Sequence, residues 1–294
     1  MIEDRLRSLL PRDARRWLTR LSRLRWLRKA RIARSYGASL RRDPLTVSGF
    51  VLLDPEVDTF TYDLANEHEL VNVTARALGV APKRVAALFD EARSDPLLGA
   101  GLAHRVRWRF DFKRRVRFGR RYAWYAIARV LRPGVVVETG IKDGLGSVLL
   151  LRALERNAAE GAPGRLISFD LYPDKGWLVP GELRAGWQTV FASTRDALGP
   201  ALEGLEVGML VHDSDPGSAD FEYRTALAHA APRLALVAGT AHHSDALRAL
   251  CEERGVPYHY FHDRPKRHVS PGSSTAVGIF TRPPRPPRVS TESA

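Results

Sequence analysis

The pattern of apolar positions separates a helical first part of the chain from an alternating second part. Residues 66–98, NEHELVNVTARALGVAPKRVAALFDEARSDPLL, carry two helical periods separated by Gly79 and Pro82. A further helix is predicted over residues 120–131, and it ends at Arg132-Pro133-Gly134. Because no strand and helix alternate before this point, we predict a helical region up to residue 132.

After Pro133, apolar runs of strand length alternate with helical stretches. Strands are predicted at residues 135–139, 165–171, 187–193, 208–214 and 233–239, with helices at 145–159, 195–203, 218–231 and 243–254. Such units predict a parallel sheet with helices on both faces. No helix separates the final strands, 257–263 and 274–282, so the chain returns antiparallel. The predicted fold is α/β: a Rossmann-like, seven-stranded, mostly parallel sheet with an antiparallel last strand, preceded by an N-terminal helical region.

The positive charge of the chain is concentrated at its beginning. Residues 1–42 contain 14 arginine and lysine residues and three acids, which accounts for +11 of the net charge of +13. Over residues 11–34 the apolar side chains share one helical face, and arginine occupies the rest. This predicts a basic amphipathic helix, for which three roles stay open: contact with an anionic membrane surface, contact with nucleic acid, or packing on the protein itself or a second copy.

These features predict four parts: a basic helical arm (1–42), a helical cap region (43–132), a Rossmann-like domain (133–282) and a proline-rich, disordered tail (283–294). The single cysteine excludes an internal disulfide and fits a reducing compartment. No apolar run reaches the roughly 18 residues of a membrane span. We therefore expect a cytoplasmic protein whose arm allows peripheral contact with the inner membrane face. The sequence leaves open whether the protein forms a homo-oligomer.

The stretch 135–150, VVVETGIKDGLGSVLL, predicts a strand that breaks on glycine and restarts as a helix, which presents backbone N–H groups to a ligand. The dinucleotide fingerprint fails, because Lys142 and Leu145 stand where its later glycines belong, and no Walker-type phosphate loop occurs. An acid at the end of the second strand, Asp170, can accept both hydroxyls of a ribose. Glu138 could help to recognise an ammonium group. Together with an antiparallel last strand, these features favour S-adenosylmethionine.

The segment ETGIKDGLGS (138–147) resembles the first motif of class I S-adenosylmethionine-dependent methyltransferases, E/D-x-G-x-G-x-G, with Lys142 in place of the middle glycine. The ordered set of GRRYAWYAIARVLRPGVVVETG (119–140), LVPGELRAGW (178–187) and LVHDSD (210–215), followed by FEYRTALAHAAPR, is similar to the bacterial methyltransferase domain family 24. That branch includes small-molecule O-methyltransferases of specialised metabolism. The similarity covers residues 119–282 and, more loosely, the helices from Asn66 onward.

The resemblance implies a cofactor, S-adenosylmethionine, a small-molecule acceptor and a set of site residues. By it, the methionine side of the cofactor would be lined by Glu138, Thr139, Gly140, Gly144 and Ser147. Asp170 would hold the ribose, with Leu171 beside the adenine and Ser193 and Asp196 flanking it. His212, Asp213 and Ser214 would face the transferred methyl group. A plain strand-to-helix turn at Glu138 and Gly140, and a helix cap at Asp170, remain the structural alternatives.

The chain departs from the family at the end of the fifth strand. Metal-dependent relatives use acids after the fourth and fifth strands to hold a divalent cation, whereas residues 238–243 read AGTAHH. Asp213 and Asp215 are therefore left with few oxygen partners, and we predict no metal. The candidate general bases are Asp213, His212 and one of the adjacent histidines, represented by His242.

The sequence therefore predicts an S-adenosylmethionine-dependent methyltransferase that methylates an oxygen of a small molecule or sugar without a metal. The alternative is a catalytically inactive, methyltransferase-like binding or partner protein, which Lys142 and the missing acids favour. A nucleic-acid methyltransferase is the third hypothesis. The Asn-Pro-Pro-Tyr or Asp-Pro-Pro-Tyr string of amino-methylating enzymes is absent, and the nearly neutral body offers no broad phosphate-tracking surface. Nucleic acid is therefore not an expected partner.

Overall fold

The computed structural model describes residues 62–106, 116–266 and 272–281. The predicted basic helix over residues 11–34 and the predicted tail over residues 283–294 lie outside the described residues.

The N-terminal helices have the boundaries that their punctuating residues predict. Helices α1 (Glu67–Leu78) and α2 (Pro82–Arg93) are separated by Gly79, whose φ of +67° is readily adopted by glycine, and by a proline in the first turn of α2. A π-helical turn, Leu97–Gly101, and helix α3, Leu102–Val106, follow. The prediction of a helical N-terminal region is confirmed for the described residues.

Helix α4 (Tyr122–Leu131), which a 3₁₀ turn at Gly119–Arg121 precedes, connects the N-terminal helices to the sheet. Its side chains from Ala123 to Arg129 are all buried, because α1 and α2 pack against it on one side and the sheet and the next helix on the other. Within the described part of the chain, no helix is both long and apolar enough to cross a membrane.

The sheet has seven strands in the order β3-β2-β1-β4-β5-β7-β6. They are β1 (Val135–Thr139), β2 (Arg165–Asp170), β3 (Trp187–Phe191), β4 (Val207–His212), β5 (Ala230–Ala238), β6 (His259–His262) and β7 (Ser274–Thr281). The first five are parallel, and β7 runs antiparallel to both β5 and β6. The predicted α/β fold class and its antiparallel last strand are confirmed.

Four further helices complete the two outer layers: α5 (Leu145–Ala159), α6 (Thr194–Leu202), α7 (Ala219–Ala228) and α8 (Ala246–Glu253). One apolar core lies between the sheet and α1, α2, α4 and α5, and the other lies under α6, α7 and α8. Neighbouring residues of β1 contribute to opposite cores, Val136 to the first and Val137 to the second. The same alternation directs Glu138 toward α5 and Thr139 toward α7.

Buried ion pairs fix the N-terminal helices to α5. The fully buried carboxylate of Asp95 accepts hydrogen bonds from Arg152 at 2.8 Å and from Arg156 at 2.6 Å. Burial opposes ionisation of Asp95, but the two guanidinium groups outweigh it and lower the pKa of the carboxyl. Because both arginines belong to α5, the α2–α3 connection is held against the helix that follows the glycine turn.

Candidate active site

A cavity of about 470 Å³ lies at the carboxyl ends of β1, β2, β4 and β5. This is the edge at which open parallel sheets bind ligands. Five of the predicted site residues line it: Glu138, Gly140, Asp170, Asp213 and His242. They come from four separate segments, and the parallel sheet brings them together.

The turn between β1 and α5 requires glycine where it crosses the end of β4. Gly140 has a φ of +87°, and a Cβ atom at this position would lie 2.4 Å from the carbonyl oxygen of Asp213. Gly144, which precedes α5, has a φ of +92° and packs against Gly176. Lys142 also adopts a left-handed φ, +50°, which costs a non-glycine residue about 1 kcal/mol. Lys142 therefore holds a backbone conformation that glycine would adopt without this cost.

Asp170 holds this turn in place. Its Oδ2 accepts hydrogen bonds from the backbone N–H groups of Ile141 at 3.0 Å and Lys142 at 3.1 Å, and its Oδ1 accepts one from Tyr172 at 3.1 Å. These bonds occupy three of the roughly four acceptor positions of a carboxylate. The sequence analysis missed this role, because no local signal connects Asp170 with backbone groups 28 and 29 residues earlier.

Glu138 is a buried carboxyl group in the cavity wall. Its Oε2 accepts hydrogen bonds from the hydroxyls of Ser147 at 2.6 Å and Ser168 at 2.8 Å. Ser147 does not line the cavity and acts through this contact. Burial raises the pKa of Glu138 to about 7, although both serines oppose the shift. A cation in the cavity would favour the ionised form of this carboxyl.

Three predicted residues instead surround a buried glutamate on the other face of the sheet. His212 Nδ1 lies 2.6 Å from Glu222 Oε2, and the Thr139 hydroxyl donates to the same oxygen at 2.6 Å. The Ser214 hydroxyl donates to Glu222 Oε1 at 3.2 Å. Thr139 and His212 pair across β1 and β4 and point toward α7, so the pleat directs them away from the cavity.

The remaining predicted residues lie at the rim of the sheet and outside the cavity lining. Leu171 follows β2 and is 62% exposed. Ser193 caps α6, its hydroxyl accepting the N–H of Arg195 at 3.3 Å, and Asp196 lies in the first turn of that helix.

Two arginines that the sequence analysis did not select line the cavity. Arg121 Nη2 donates to Asp213 Oδ2 at 3.3 Å, and its guanidinium carbon lies 5.2 Å from the centre of the Trp124 ring. Arg120 Nε donates to the carbonyl oxygen of Gly239 at 2.7 Å. The sequence signal that could have found them is a pair of arginines directly before the apolar helix α4.

His242 and His243 follow β5 in a 3₁₀ turn, and both line the cavity. Their ring centres are 3.9 Å apart, and His242 Nδ1 lies 2.8 Å from the Ser274 hydroxyl. Burial, His243 and Arg120 together lower the pKa of His242. The ring is therefore neutral at neutral pH and able to accept a proton.

Within residues 62–106, 116–266 and 272–281, no group of three or more His, Cys, Asp or Glu side chains has an arrangement that could hold a metal ion.

Several solved structures are similar to the chain, at low sequence identity. The O-methyltransferase TomG from Streptomyces achromogenes, in complex with S-adenosylmethionine, is 16% identical with a TM-score of 0.43, covering 54% of this chain and 78% of its own. An O-methyltransferase from Bacillus cereus, in complex with S-adenosylhomocysteine, is 10% identical with a TM-score of 0.43, covering 71% and 95%. Cofactor-bound Rv0187 from MTB is 15% identical with a TM-score of 0.44, covering 76% and 96%. At these scores the similarities support no conclusion about function.

The match to a protein family is more specific. No curated protein matches the chain. The family model of a methyltransferase domain matches residues 137–239, a range that runs from β1 to the end of β5 and contains Glu138, Asp170 and Asp213. The family predicted from the sequence is confirmed over this range, in which the chain matches a methyltransferase domain.

Proposed function

We propose that the chain transfers the methyl group of S-adenosylmethionine to an oxygen atom of a small-molecule acceptor without a metal ion. Glu138, Asp170 and Asp213 line one cavity together with the glycine turn, and this arrangement is the observation that carries the proposal. The three acids stand at the ends of three neighbouring strands, β1, β2 and β4.

The chemistry of the cavity fits the cofactor. Glu138, held by two serine hydroxyls, would bind the cationic methionine end. Asp170 retains about one acceptor position for a ribose hydroxyl. Leu171, which is exposed beside it, offers an apolar surface for the adenine. When bound, the cofactor would supply a methyl group on a sulfonium ion, which is electrophilic enough to need only an aligned, deprotonated oxygen.

Two side chains support the handling of the acceptor. The carboxylate of Asp213, at the end of β4, can accept a hydrogen bond from the acceptor hydroxyl and orient it. The neutral ring of His242 can take the proton as methyl transfer proceeds. We leave His212 out of the proposed chemistry, because its Nδ1 contacts Glu222 inside the protein and its side chain is only 4% exposed.

The residues directly after β5 supply no carboxylate to a metal ion. Where metal-dependent relatives have acids, this chain has Gly239 and Thr240, so Asp213 lacks carboxylate partners from that strand. The cation beside Asp213 is instead the guanidinium of Arg121, at 3.3 Å. A permanent positive charge therefore already occupies the surroundings in which a metal would act.

Calorimetric titration of the full chain with S-adenosylmethionine and S-adenosylhomocysteine tests the proposal. We expect micromolar dissociation constants for both, and at least tenfold weaker binding by Asp170→Ala, which removes the ribose acceptor and loosens the turn. Asp174→Ala is the matched control, because this acid lies in the same segment with a side chain that is 61% exposed. A folded protein that binds neither ligand would contradict the proposal and favour a non-catalytic partner protein.

A further inference from the structure

The guanidinium group of Arg121 lies in the cavity wall without a full set of partners. Its side chain is 12% exposed, and its Nε has no hydrogen-bond partner among the described residues. In the part of the chain that the structure describes, the carboxylate that contacts it is that of Asp213, at 3.3 Å from Nη2. Burial lowers the pKa of Arg121, and neighbouring Arg120 lowers it further, whereas Asp213 raises it. The charge is therefore only partly compensated within the protein.

Other buried arginines of this chain have closer partners. Arg129 donates to Glu91 at 2.9 Å and to Glu160 at 2.6 Å. Arg120 donates to a backbone carbonyl at 2.7 Å. Buried polar groups are normally paired, and an exception calls for an explanation. At Arg121 the unpaired Nε has almost no accessible surface, but the guanidinium group lines the cavity, so an anionic ligand there could compensate its charge.

The geometry around Arg121 suits a planar or tetrahedral anion. The guanidinium carbon lies over the Trp124 ring, 5.2 Å from its centre, and this contact restrains the group. Its edge can then donate two parallel hydrogen bonds to a carboxylate or phosphate. Because the side chain of Arg121 is only 12% exposed, such a contact is stronger than it would be at the surface.

The position of Arg121 relates this anion to the groups that are proposed to bind the acceptor and the cofactor. Arg121 contacts Asp213 at the end of β4, on the side of the cavity that Thr240 and His242 line. The groups proposed to hold the ribose and the methionine cation stand on β2 and β1. The positive charge of Arg121 also opposes the raised pKa of Glu138 on β1, so Arg121 lies near both the proposed acceptor group and the amino-acid end of the cofactor.

We infer that the acceptor is an anion, whose carboxylate or phosphate group binds Arg121 while Asp213 orients the hydroxyl to be methylated. This inference rests on the proposed methyl transfer and adds the chemical class of its substrate. It assigns to Arg121 a role in acceptor recognition.

The test is the binding of inorganic phosphate to the full chain saturated with S-adenosylhomocysteine, at constant ionic strength balanced with sodium chloride. Intrinsic tryptophan fluorescence reports it, because Trp124 lies beneath the guanidinium. We expect saturable binding whose dissociation constant rises at least tenfold in Arg121→Gln. The rise should be smaller in Arg121→Lys, which keeps the positive charge but lacks the two parallel N–H donors of the guanidinium. Arg184→Gln is the matched control: Arg184 also lies over a tryptophan, Trp187 at 5.5 Å, but is exposed outside the cavity.

A second arm replaces S-adenosylhomocysteine by 5′-methylthioadenosine, which lacks the amino-acid end. If phosphate binds with methylthioadenosine but is displaced by S-adenosylhomocysteine, Arg121 holds the carboxylate of the cofactor and the inference is overturned. Absence of phosphate binding in both arms also overturns it, as does equal binding by wild type and Arg121→Gln. The titration of S-adenosylhomocysteine into each variant shows whether the variant is folded, and its failure in the wild type would contradict the proposed function itself.

Discussion

The imidazole of His212 lies 2.6 Å from the carboxylate of Glu222, and both side chains are buried beneath the cavity. The contact joins the last residue of β4 to helix α7. The hydroxyl of Thr139, from the end of β1, and that of Thr194 donate to the same carboxylate at 2.6 Å and 2.7 Å. One glutamate therefore holds together the two strand ends from which Gly140 and Asp213 enter the cavity.

Replacement of this glutamate should destabilise the protein. We expect Glu222→Ala to lower the free energy of unfolding by about 3 kcal/mol, because it leaves His212 and two hydroxyls buried without their partner. Denaturant unfolding measures the loss. Glu253→Ala is the control, since Glu253 forms an exposed ion pair with Arg224, and its removal should leave the unfolding midpoint unchanged. Equal midpoints for Glu222→Ala and wild type would show that the buried cluster is not a stabilising element.

The pH dependence of stability gives a second measurement of the same cluster. Burial opposes ionisation of Glu222, but the contact and charge of His212 outweigh it and lower the pKa of the carboxyl below its ordinary value of 4.5. A lowered carboxyl pKa stabilises the folded state above that ordinary value, and the contribution is lost as the pH falls below it. The stability difference between wild type and Glu222→Gln should therefore shrink below about pH 4.5.

Cofactor affinity should depend on the ionisation of Glu138. Its pKa is raised to about 7, so the empty site holds a proton below neutrality, and a bound cation favours its release. We expect the affinity for S-adenosylmethionine to increase from pH 6 to pH 8 and then to level off. Glu138→Gln should bind at least tenfold more weakly and without this dependence. Calorimetry in buffers of different ionisation enthalpy would measure the proton released on binding. A wild-type affinity that did not change with pH would rule out a role for the ionisation of Glu138.

The same raised pKa has a consequence for the stability of the empty protein. Because the folded state disfavours the ionised carboxyl, the contribution of Glu138 to stability is greatest below the ordinary value of 4.5, declines between that value and about 7, and is lost at higher pH. Glu138→Gln, which cannot ionise, should lack this part of the decline. At pH 8 and without ligand, its melting temperature should therefore exceed that of the wild type, although its affinity for the cofactor is lower.

Gly140, in the glycine turn, and Gly161, after α5, provide a matched pair of substitutions. Gly140 and Gly161 have nearly equal φ values, +87° and +84°, but only Gly140 would place a Cβ atom against other atoms, 2.4 Å from the carbonyl oxygen of Asp213. Both alanine variants should lose about 1 kcal/mol or more through left-handed strain. Gly140→Ala should in addition displace the turn and weaken cofactor binding at least tenfold. Equal cofactor affinities in the two variants would contradict a close approach of the turn to β4.

The proposed base can be tested by rate profiles once an acceptor is available. We expect His242→Gln to lower kcat by about 100-fold, the usual contribution of a positioned general base, and to remove the low-pH limb of the profile. His68→Gln is the control, because its side chain is 72% exposed and does not line the cavity. If His242→Gln kept the low-pH limb of the rate profile, another group would accept the proton. Asp213→Asn should then remove that limb.

Local sequence signals were sufficient for the elements that frame the site. The run VVV at the start of β1 is apolar because the strand is covered on both faces, and the glycines after the strand mark the positive φ angles at Gly140 and Gly144. The return without a helix between β6 and β7 required antiparallel pairing. Patterns of this kind depend on a few adjacent residues, so they can be recognised without knowledge of the fold.

Which residues share the cavity depends on contacts between distant segments. The sequence could place His212 next to Asp213, but only the register of β1 and β4 shows that the histidine points toward Glu222 on the other face. Arg121 lies 92 residues before the carboxylate that it contacts, and Asp170 binds backbone groups of a turn that precedes it by 28 and 29 residues. The sequence by itself determined the strand-turn-helix unit and the family, because local periodicity and backbone conformation encode them. Only the tertiary structure decided which side chains face the ligand, because the pleat and the strand order set their direction and their neighbours.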